Sequence, residues 1–180
     1  MDVVIQEWAG KSRPFRLRFG DVLDLEESLG RDGIGAIYQR VARGQFRARD
    51  LSEIVRLALI GGGEDVVVAS RLVTERIEHA PLAVTGALAA SILQSLMTGI
   101  EQSDDVESDE ASDPTEPYRF SEVSQICRVF HISPRDLREM PYADFINMMR
   151  GFNAGSDQKA QHISEGEFED ILARYEPDAV

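Results

Sequence analysis

The chain has 180 residues, enough for one large or two small domains, and its 43% hydrophobic and 28% charged residues are ordinary for a globular protein. Its net charge of −13 is concentrated in one stretch, because residues 101–117 contain eight acidic and no basic side chains, whereas residues 1–100 contain 13 acidic and 12 basic ones. No part of the chain has the basic excess of a nucleic-acid-binding protein. The single cysteine excludes an intramolecular disulfide and indicates a reducing compartment.

The N-terminal residues predict a β-hairpin. The runs VVIQEW and RPFRLRF alternate, so that Phe15, Leu17 and Phe19 share one face while Arg16 and Arg18 point the other way. The residues AGKS between the two runs predict the turn. Because a two-stranded hairpin is marginally stable alone, we expect it to pack on the helices that follow.

Apolar residues then recur with helical spacing up to residue 100. Gly30 and the glycines at 61–63 are typical helix terminators, and Asp50 with Glu53 has the spacing of a capping box at a helix start. The predicted helices cover residues 22–29, 34–41, 51–60, 65–78 and 82–100. Together with the hairpin they predict a compact first domain over residues 1–100.

The last of these helices, LAVTGALAASILQSLMTGI, has no charged residue over a length close to the roughly 20 residues that span a bilayer. It is diluted by Gln94 and by many small residues, and no basic cluster flanks it. We therefore expect no membrane association but a buried helix that also contacts a partner. Leu88 and Ile92, four residues apart on one face, are the predicted partner-binding residues.

The acidic stretch 101–117 predicts a disordered, extended linker, because it is too poor in apolar residues to offset the entropy of ordering and its like charges repel. Its acids at 105, 107, 109 and 116 match part of a calcium-loop spacing. The glycine that such a loop needs is replaced by Glu110, and Pro114 lies inside it. No metal site is expected there.

Residues 118–180 predict a small all-α second domain. A helical stripe of Phe120, Val123, Ile126, Cys127 and Phe130 opens it. Further helices are expected after Ser133-Pro134, after Pro141 and after the capping-box pair at 164 and 167, with GFNAGSDQ (151–158) interrupting the helical pattern. The fold class predicted for the whole chain is mainly α with a small N-terminal β-hairpin (α+β).

The second domain carries a methionine and aromatic stripe whose members we predict to bind a partner: Met140, Tyr142, Phe145 and Met149. Methionine side chains suit adaptable binding surfaces. Some of the stripe must also be core, because a domain of this size has little else to bury.

The search for chemistry is negative. His79, His131 and His162 are isolated, no glycine-rich phosphate loop follows a strand, and no nucleophile has a visible base with an orienting third group. We expect no catalytic, cofactor-binding or metal-binding residues, and therefore no enzyme. The helices around residues 142–172 resemble an EF-hand pair, but the loop positions 156, 158 and 160 hold Ser, Gln and Ala, which leaves a calcium-free module at most.

Residues 3–99 resemble a tail-assembly-chaperone-like family of gene transfer agents and siphophages that is sometimes labelled a tail tube protein. The stretches that carry the resemblance are the hairpin, FGDVLDLEESLG, VARGQFRARDLSEIVRLALIGGG and the residues APL before the uncharged helix. Residues 120–152 are similar to a second, short tail assembly chaperone family through ICRVFHISPRDLREMPYADFINMMRGF.

These resemblances imply a non-enzymatic tail assembly chaperone, encoded by a phage, prophage or gene transfer agent and acting in the bacterial host cytoplasm. Its implied partners are the hydrophobic tape-measure protein, which several copies would coat, and the major tail tube protein, which the second domain would recruit. Two alternatives stay open. One is a structural tail tube subunit retained in the particle, and the other is the calcium-free EF-hand-like interaction module.

Overall fold

A computed structural model describes residues 3–100 and 116–159, and within them the protein is mainly helical with one two-stranded antiparallel hairpin at the N-terminus, as predicted. Strand β1 is Val3–Trp8 and strand β2 is Lys11–Arg16. The helices are α1 Phe19–Ser28, α2 Ile34–Ala42, α3 Ala48–Gly61, α4 Val66–His79, α5 Leu82–Leu96, α6 Phe120–Phe130, α7 Pro134–Glu139 and α8 Tyr142–Lys159.

The hairpin closes through a two-residue turn at Ala9 and Gly10, both in the left-handed region with φ of 49° and 76°. Two consecutive residues of positive φ match the right-handed twist of the flanking strands. The register pairs Trp8 with Lys11, and the Trp8 ring meets the Phe15 ring edge-on at 6.0 Å. β2 is shorter than the predicted second run, because Phe19 already begins α1.

Helix α3 is the centre of the core. It contacts β2, α1, α4 and α5, and its apolar residues from Leu51 to Leu59 include several with no exposed surface. The hairpin lies against α3 and α5, which supplies the helical support that an isolated hairpin lacks. The largest fully buried side chains of this region are Phe15, Phe19, Leu25, Ile34, Ile37, Leu51, Ile54, Leu59, Leu88, Ile92 and Leu93.

The predicted capping box at Asp50 is wrong in detail. Helix α3 begins at Ala48, and the Asp50 carboxylate accepts a hydrogen bond from the backbone N–H of Arg47 at 2.9 Å. The same carboxylate accepts the Nε–H of Arg40 at 2.9 Å and is only 3% exposed. Asp50 is thus buried in an ion pair with Arg40 of α2, a contact that the local spacing of residues does not predict.

The division between compact units differs from the predicted domain boundary at residue 117. One compact unit extends to Asn147 and the second begins at Met148. The described residues 116–147 thus belong with the hairpin and α1–α5 rather than to a separate domain. Side chains of residues 118–147 pack on the start of α1 and complete an apolar cluster there, which is why they belong to the first unit.

Two further predictions concern the C-terminal part of the chain. Helix α8 does not end near Gly151 but continues to Lys159, because each of its two glycines, at 151 and 155, costs a helix only about 1 kcal/mol. The predicted last helix after residue 164, and with it the second half of the EF-hand-like pair, lies outside the described residues. The predicted linker lies outside them as well, except for residues 116 and 117.

Candidate functional site

One contact within the first compact unit joins parts of the chain that are far apart in sequence. Residues 118–147, which we call the docked segment, pack on the start of α1. The surface that receives them, which we call the α1 surface, consists of Arg18, Phe19, Gly20, Asp24 and Glu26.

Backbone groups hold the docked segment close to the α1 surface. The N–H of Phe19 donates to the carbonyl oxygen of Met140 at 2.9 Å, and Arg18 forms an antiparallel bridge with Pro141. A Cβ atom placed on Gly20 would lie 2.8 Å from the Cβ of Arg138 and 2.9 Å from its carbonyl oxygen. Since real Cβ atoms do not approach so closely, the absence of a side chain at Gly20 is what permits this contact.

Aromatic rings fill the space beneath these backbone contacts. Phe145 stacks on Phe19 with ring centroids 3.9 Å apart, and Tyr118 meets both rings edge-on at 5.3 Å and 5.6 Å. Tyr142 lies 6.5 Å from Phe145. Phe19 and Phe145 are 0% and 1% exposed, so the stacked rings lie in the core.

Glu26 is the polar anchor of the site. One carboxylate oxygen accepts the N–H of Tyr118 at 3.0 Å and the other accepts the N–H of Ile34 at 2.8 Å. The residue is 2% exposed, and this burial raises the pKa of the Glu26 carboxyl although the two N–H donors oppose the rise. Burial likewise raises the pKa of the Tyr118 hydroxyl, so this phenol stays neutral.

Ion pairs surround the aromatic cluster. Arg138 Nη2 lies 2.7 Å from Asp24 Oδ2, and Arg18 pairs with Glu139. Both side chains of the first pair are 46% exposed. Exposed pairs of this kind contribute little stability, so their main effect is to set the orientation of α7 on α1.

Helix α6 carries an apolar face that the described residues cover only in part. This α6 face consists of Phe120, Val123 and Cys127, which lie within about 60° of one another around a helix of 3.6 residues per turn. Phe120 is 87% exposed, and the other two are half-buried. In contrast Ile126, on the adjacent side of the helix that packs on α7, is 8% exposed.

The structure places the predicted partner-binding residues of α5 in the core. Leu88 and Ile92 are each 1% exposed, which confirms that this face of α5 holds the first unit together. Their burial leaves no surface through which they touch a partner in this conformation. The partner contact assigned to them stays a prediction, and exposed apolar side chains such as Phe120 lie elsewhere in the described residues.

The predicted partner-binding residues of the second half are divided by the fold. Tyr142 and Phe145 are 3% and 1% exposed and belong to the aromatic cluster, so they are core in this conformation. Met140 is half-buried and engaged through its backbone carbonyl. Met149 is also half-buried and lies beyond Asn147, in the second compact unit. Their contact with a partner likewise stays a prediction.

Sequence reasoning missed the α1 surface. One local signal was present, because Glu26 follows Val22 by four residues and therefore lies on the apolar face of α1. A carboxylate in that position indicates a buried acid with donors elsewhere. The alternating pattern predicts Phe19 in the strand, whereas Phe19 begins α1. The role of Gly20 depends on Arg138, which no local pattern connects to it.

The described residues hold no group of three or more histidine, cysteine, aspartate or glutamate side chains that could bind a metal ion. None of the described helices is long and apolar enough to cross a membrane. The acidic calcium-loop spacing considered at 105–116 lies outside the described residues, except for its last position.

A comparison with protein families finds a match for the first part of the chain. The model of a family described as phage tail tube protein, GTA-gp10, matches residues 4–99, which is the hairpin with α1–α5. The matched stretch ends before the docked segment begins. Comparison with curated proteins and with solved structures finds no match.

Proposed function

Since the chain belongs to the phage tail tube protein, GTA-gp10, family, we propose that this phage tail protein is a non-enzymatic tail assembly chaperone. In this proposal it keeps the hydrophobic tape-measure protein soluble and brings tail tube subunits to it. It acts in the cytoplasm of the bacterial host before the tail is complete. Several copies bind along one tape-measure chain.

The observation that carries the proposal is the α6 face. Phe120 is an aromatic side chain with 87% exposure on a helix whose other side is anchored by the buried Ile126, and an exposed aromatic ring on a fixed helix is suited to bind a partner. An apolar helix face is complementary to another amphipathic helix. A long, helical tape-measure protein offers many such helices, so the α6 face is the contact we assign to it.

The distribution of the other exposed apolar residues supports transient binding. Among the described residues, the other exposed large apolar side chains lie on the hairpin, α4, α5, α6 and α8, namely Ile5, Val66, Val67, Leu82, Val84, Val129 and Phe152. Subunits of permanent assemblies bury large, continuous and strongly apolar interfaces. These apolar residues are instead scattered over several elements, which suits a protein whose contacts form and are later released.

A structural tail tube subunit is the second candidate, because the description of the matching family names a tail tube protein. The two candidates differ in what finished particles contain. Quantitative mass spectrometry of purified particles should find the chaperone absent or far below the major tube subunit. Stoichiometric copies in the particle would overturn the chaperone proposal and support the structural one.

The direct test is co-expression with the tape-measure protein of the phage or gene transfer agent that encodes this chain. We expect the tape-measure protein to be insoluble alone, soluble in the presence of this protein, and recovered with it in a pull-down. A tape-measure protein that stays insoluble, or that is soluble without this chain, would contradict the proposal. Co-expression with the Phe120→Asp variant is the matched control for the assigned surface.

A further inference from the structure

We propose that the α1 surface also accepts the docked segment of a second copy of this chain, so that two copies can exchange their segments. The proposed contact is between two copies of the same chain, and it does not depend on whether the protein is a chaperone. The chemistry of the surface identifies the occupant, because it matches residues 118–147 of this chain.

Leaving the α1 surface empty is unfavourable in free energy. Without the docked segment the Phe19 ring loses the stacked cover of Phe145, and the buried Glu26 carboxylate loses the N–H of Tyr118. Exposed aromatic area and an unpaired polar group are both unfavourable. An occupant is therefore strongly favoured, from the same chain or from another.

The α1 surface is also selective for its occupant. An occupant must present a carbonyl oxygen to the Phe19 N–H, an aromatic ring to Phe19 and a guanidinium to Asp24, as Met140, Phe145 and Arg138 do. Its backbone must also approach the bare Cα of Gly20. A second copy satisfies all four requirements with identical geometry, which is the condition for exchange of an element between protomers.

The covalent connection between the docked segment and the rest of the first unit also permits exchange. The contacts of the docked segment are made with α1, with the strand end before it and with Gly99, whose carbonyl accepts the Asn147 side-chain N–H at 2.9 Å. The covalent link between the two sides is residues 101–115, which fully extended reach at most about 50 Å, against a helix diameter of about 10–12 Å. The link is thus long enough for a segment to reach a neighbouring copy.

Mass action then decides between the two arrangements. Attachment within one chain gives the segment an effective concentration on the order of millimolar, so dilute wild-type protein is monomeric. When the contact within one chain is blocked, the contact between chains is the remaining way to cover Phe19 and Glu26. The test therefore uses two full-length variants that are each unable to dock their own segment.

The first variant, Gly20→Ala, disables the surface and keeps the segment, because the added methyl group would overlap Arg138 while alanine suits a helical position. The second variant, Phe145→Ala, disables the segment and keeps the surface. We expect each alone to be monomeric in sedimentation velocity. An equimolar mixture should form a heterodimer of twice the 20.0 kDa chain mass.

A matched control replaces Gly20→Ala by Gly151→Ala, since a Cβ on that helical glycine meets nothing within 4 Å. Gly151→Ala keeps its own segment docked, so its mixture with Phe145→Ala should stay monomeric. A Gly20→Ala mixture that contains monomers only would overturn the proposal. Dimers of Gly20→Ala alone would overturn it as well, because they would need a different interface.

A second pair leaves the aromatic cluster and the Gly20 contact unchanged, because it changes only the half-exposed ion pair. Asp24→Arg and Arg138→Asp each place like charges together within one chain, whereas in a mixture both contacts between chains are complementary. We expect the dissociation constant of the mixed dimer to be several-fold lower than that of either variant alone. Equal constants in all three samples would count against exchange.

Discussion

Phe19 and Phe145 stack with ring centroids 3.9 Å apart and an interplanar angle of 25°, although one begins the first helix and the other lies near the start of the last described one. The contact ties the family-matched residues 4–99 to the docked segment that follows the acidic stretch. It makes the docked segment part of the core of the first compact unit.

Phe145→Ala should therefore lower the free energy of unfolding by about 3–5 kcal/mol, the usual cost of removing a buried phenylalanine ring. Urea denaturation of the full chain, followed by circular dichroism, measures the change. Phe120→Ala is the matched control, since the same substitution at an 87% exposed position should cost no more than about 0.5 kcal/mol. Equal effects of the two substitutions would mean that Phe145 is not core.

Leu88→Asp should destabilise the first unit by several kcal/mol, because it buries an unpaired carboxylate at a position with 1% exposure. Ala87→Asp introduces the same side chain one position earlier, on the exposed side of α5. Its cost should stay within the helix-propensity difference of about 0.7 kcal/mol. Thermal melting of both variants distinguishes them, and wild-type stability of Leu88→Asp would contradict the observed packing of α5.

The elements that follow local patterns could be predicted from the sequence. The hairpin and α1–α5 follow from alternation, helical spacing and glycine stops, and Ser133 caps α7 as predicted, accepting the Asp136 N–H at 3.1 Å. The candidate site could not be predicted in the same way. The pairing of Gly20 with Arg138 and the burial of Phe145 depend on contacts between distant residues, which leave no periodic trace. Likewise, the stripe on α6 was recognised, but its exposure is set by tertiary packing.

Glu26 should make the stability of the protein depend on pH. Burial raises the pKa of this carboxyl above its ordinary value of 4.5, so the folded protein binds the proton more tightly than the unfolded chain does. The resulting contribution to stability is fully present below the ordinary pKa and is lost as the pH rises through the raised pKa of the folded state.

The measurement compares the wild type with Glu26→Gln by urea denaturation over that pH range. The stability of the wild type relative to the variant should fall as the pH rises. Asp21, whose pKa burial also raises, contributes a slope of the same sign to both proteins and cancels in the difference. Because glutamine leaves one of the N–H groups of Tyr118 and Ile34 without its acceptor, a constant offset is also expected. A difference that does not change with pH, or that rises, would contradict the raised pKa.

The α6 face provides the sharpest test of partner binding. Phe120→Asp removes an 87% exposed aromatic side chain from the first turn of α6. An acidic residue in the first turn interacts favourably with the helix dipole, so the stability of the free protein should not fall. Loss of a central aromatic anchor typically costs 2 kcal/mol or more of binding free energy, which is roughly a 30-fold loss of affinity.

Val67→Asp is the matched control, because Val67 is 76% exposed in the first turn of α4 and lies outside the α6 face. Isothermal titration with a soluble tape-measure fragment should show weakened binding for Phe120→Asp and wild-type binding for Val67→Asp. Equal affinities for the two variants would remove the α6 face from the proposed mechanism.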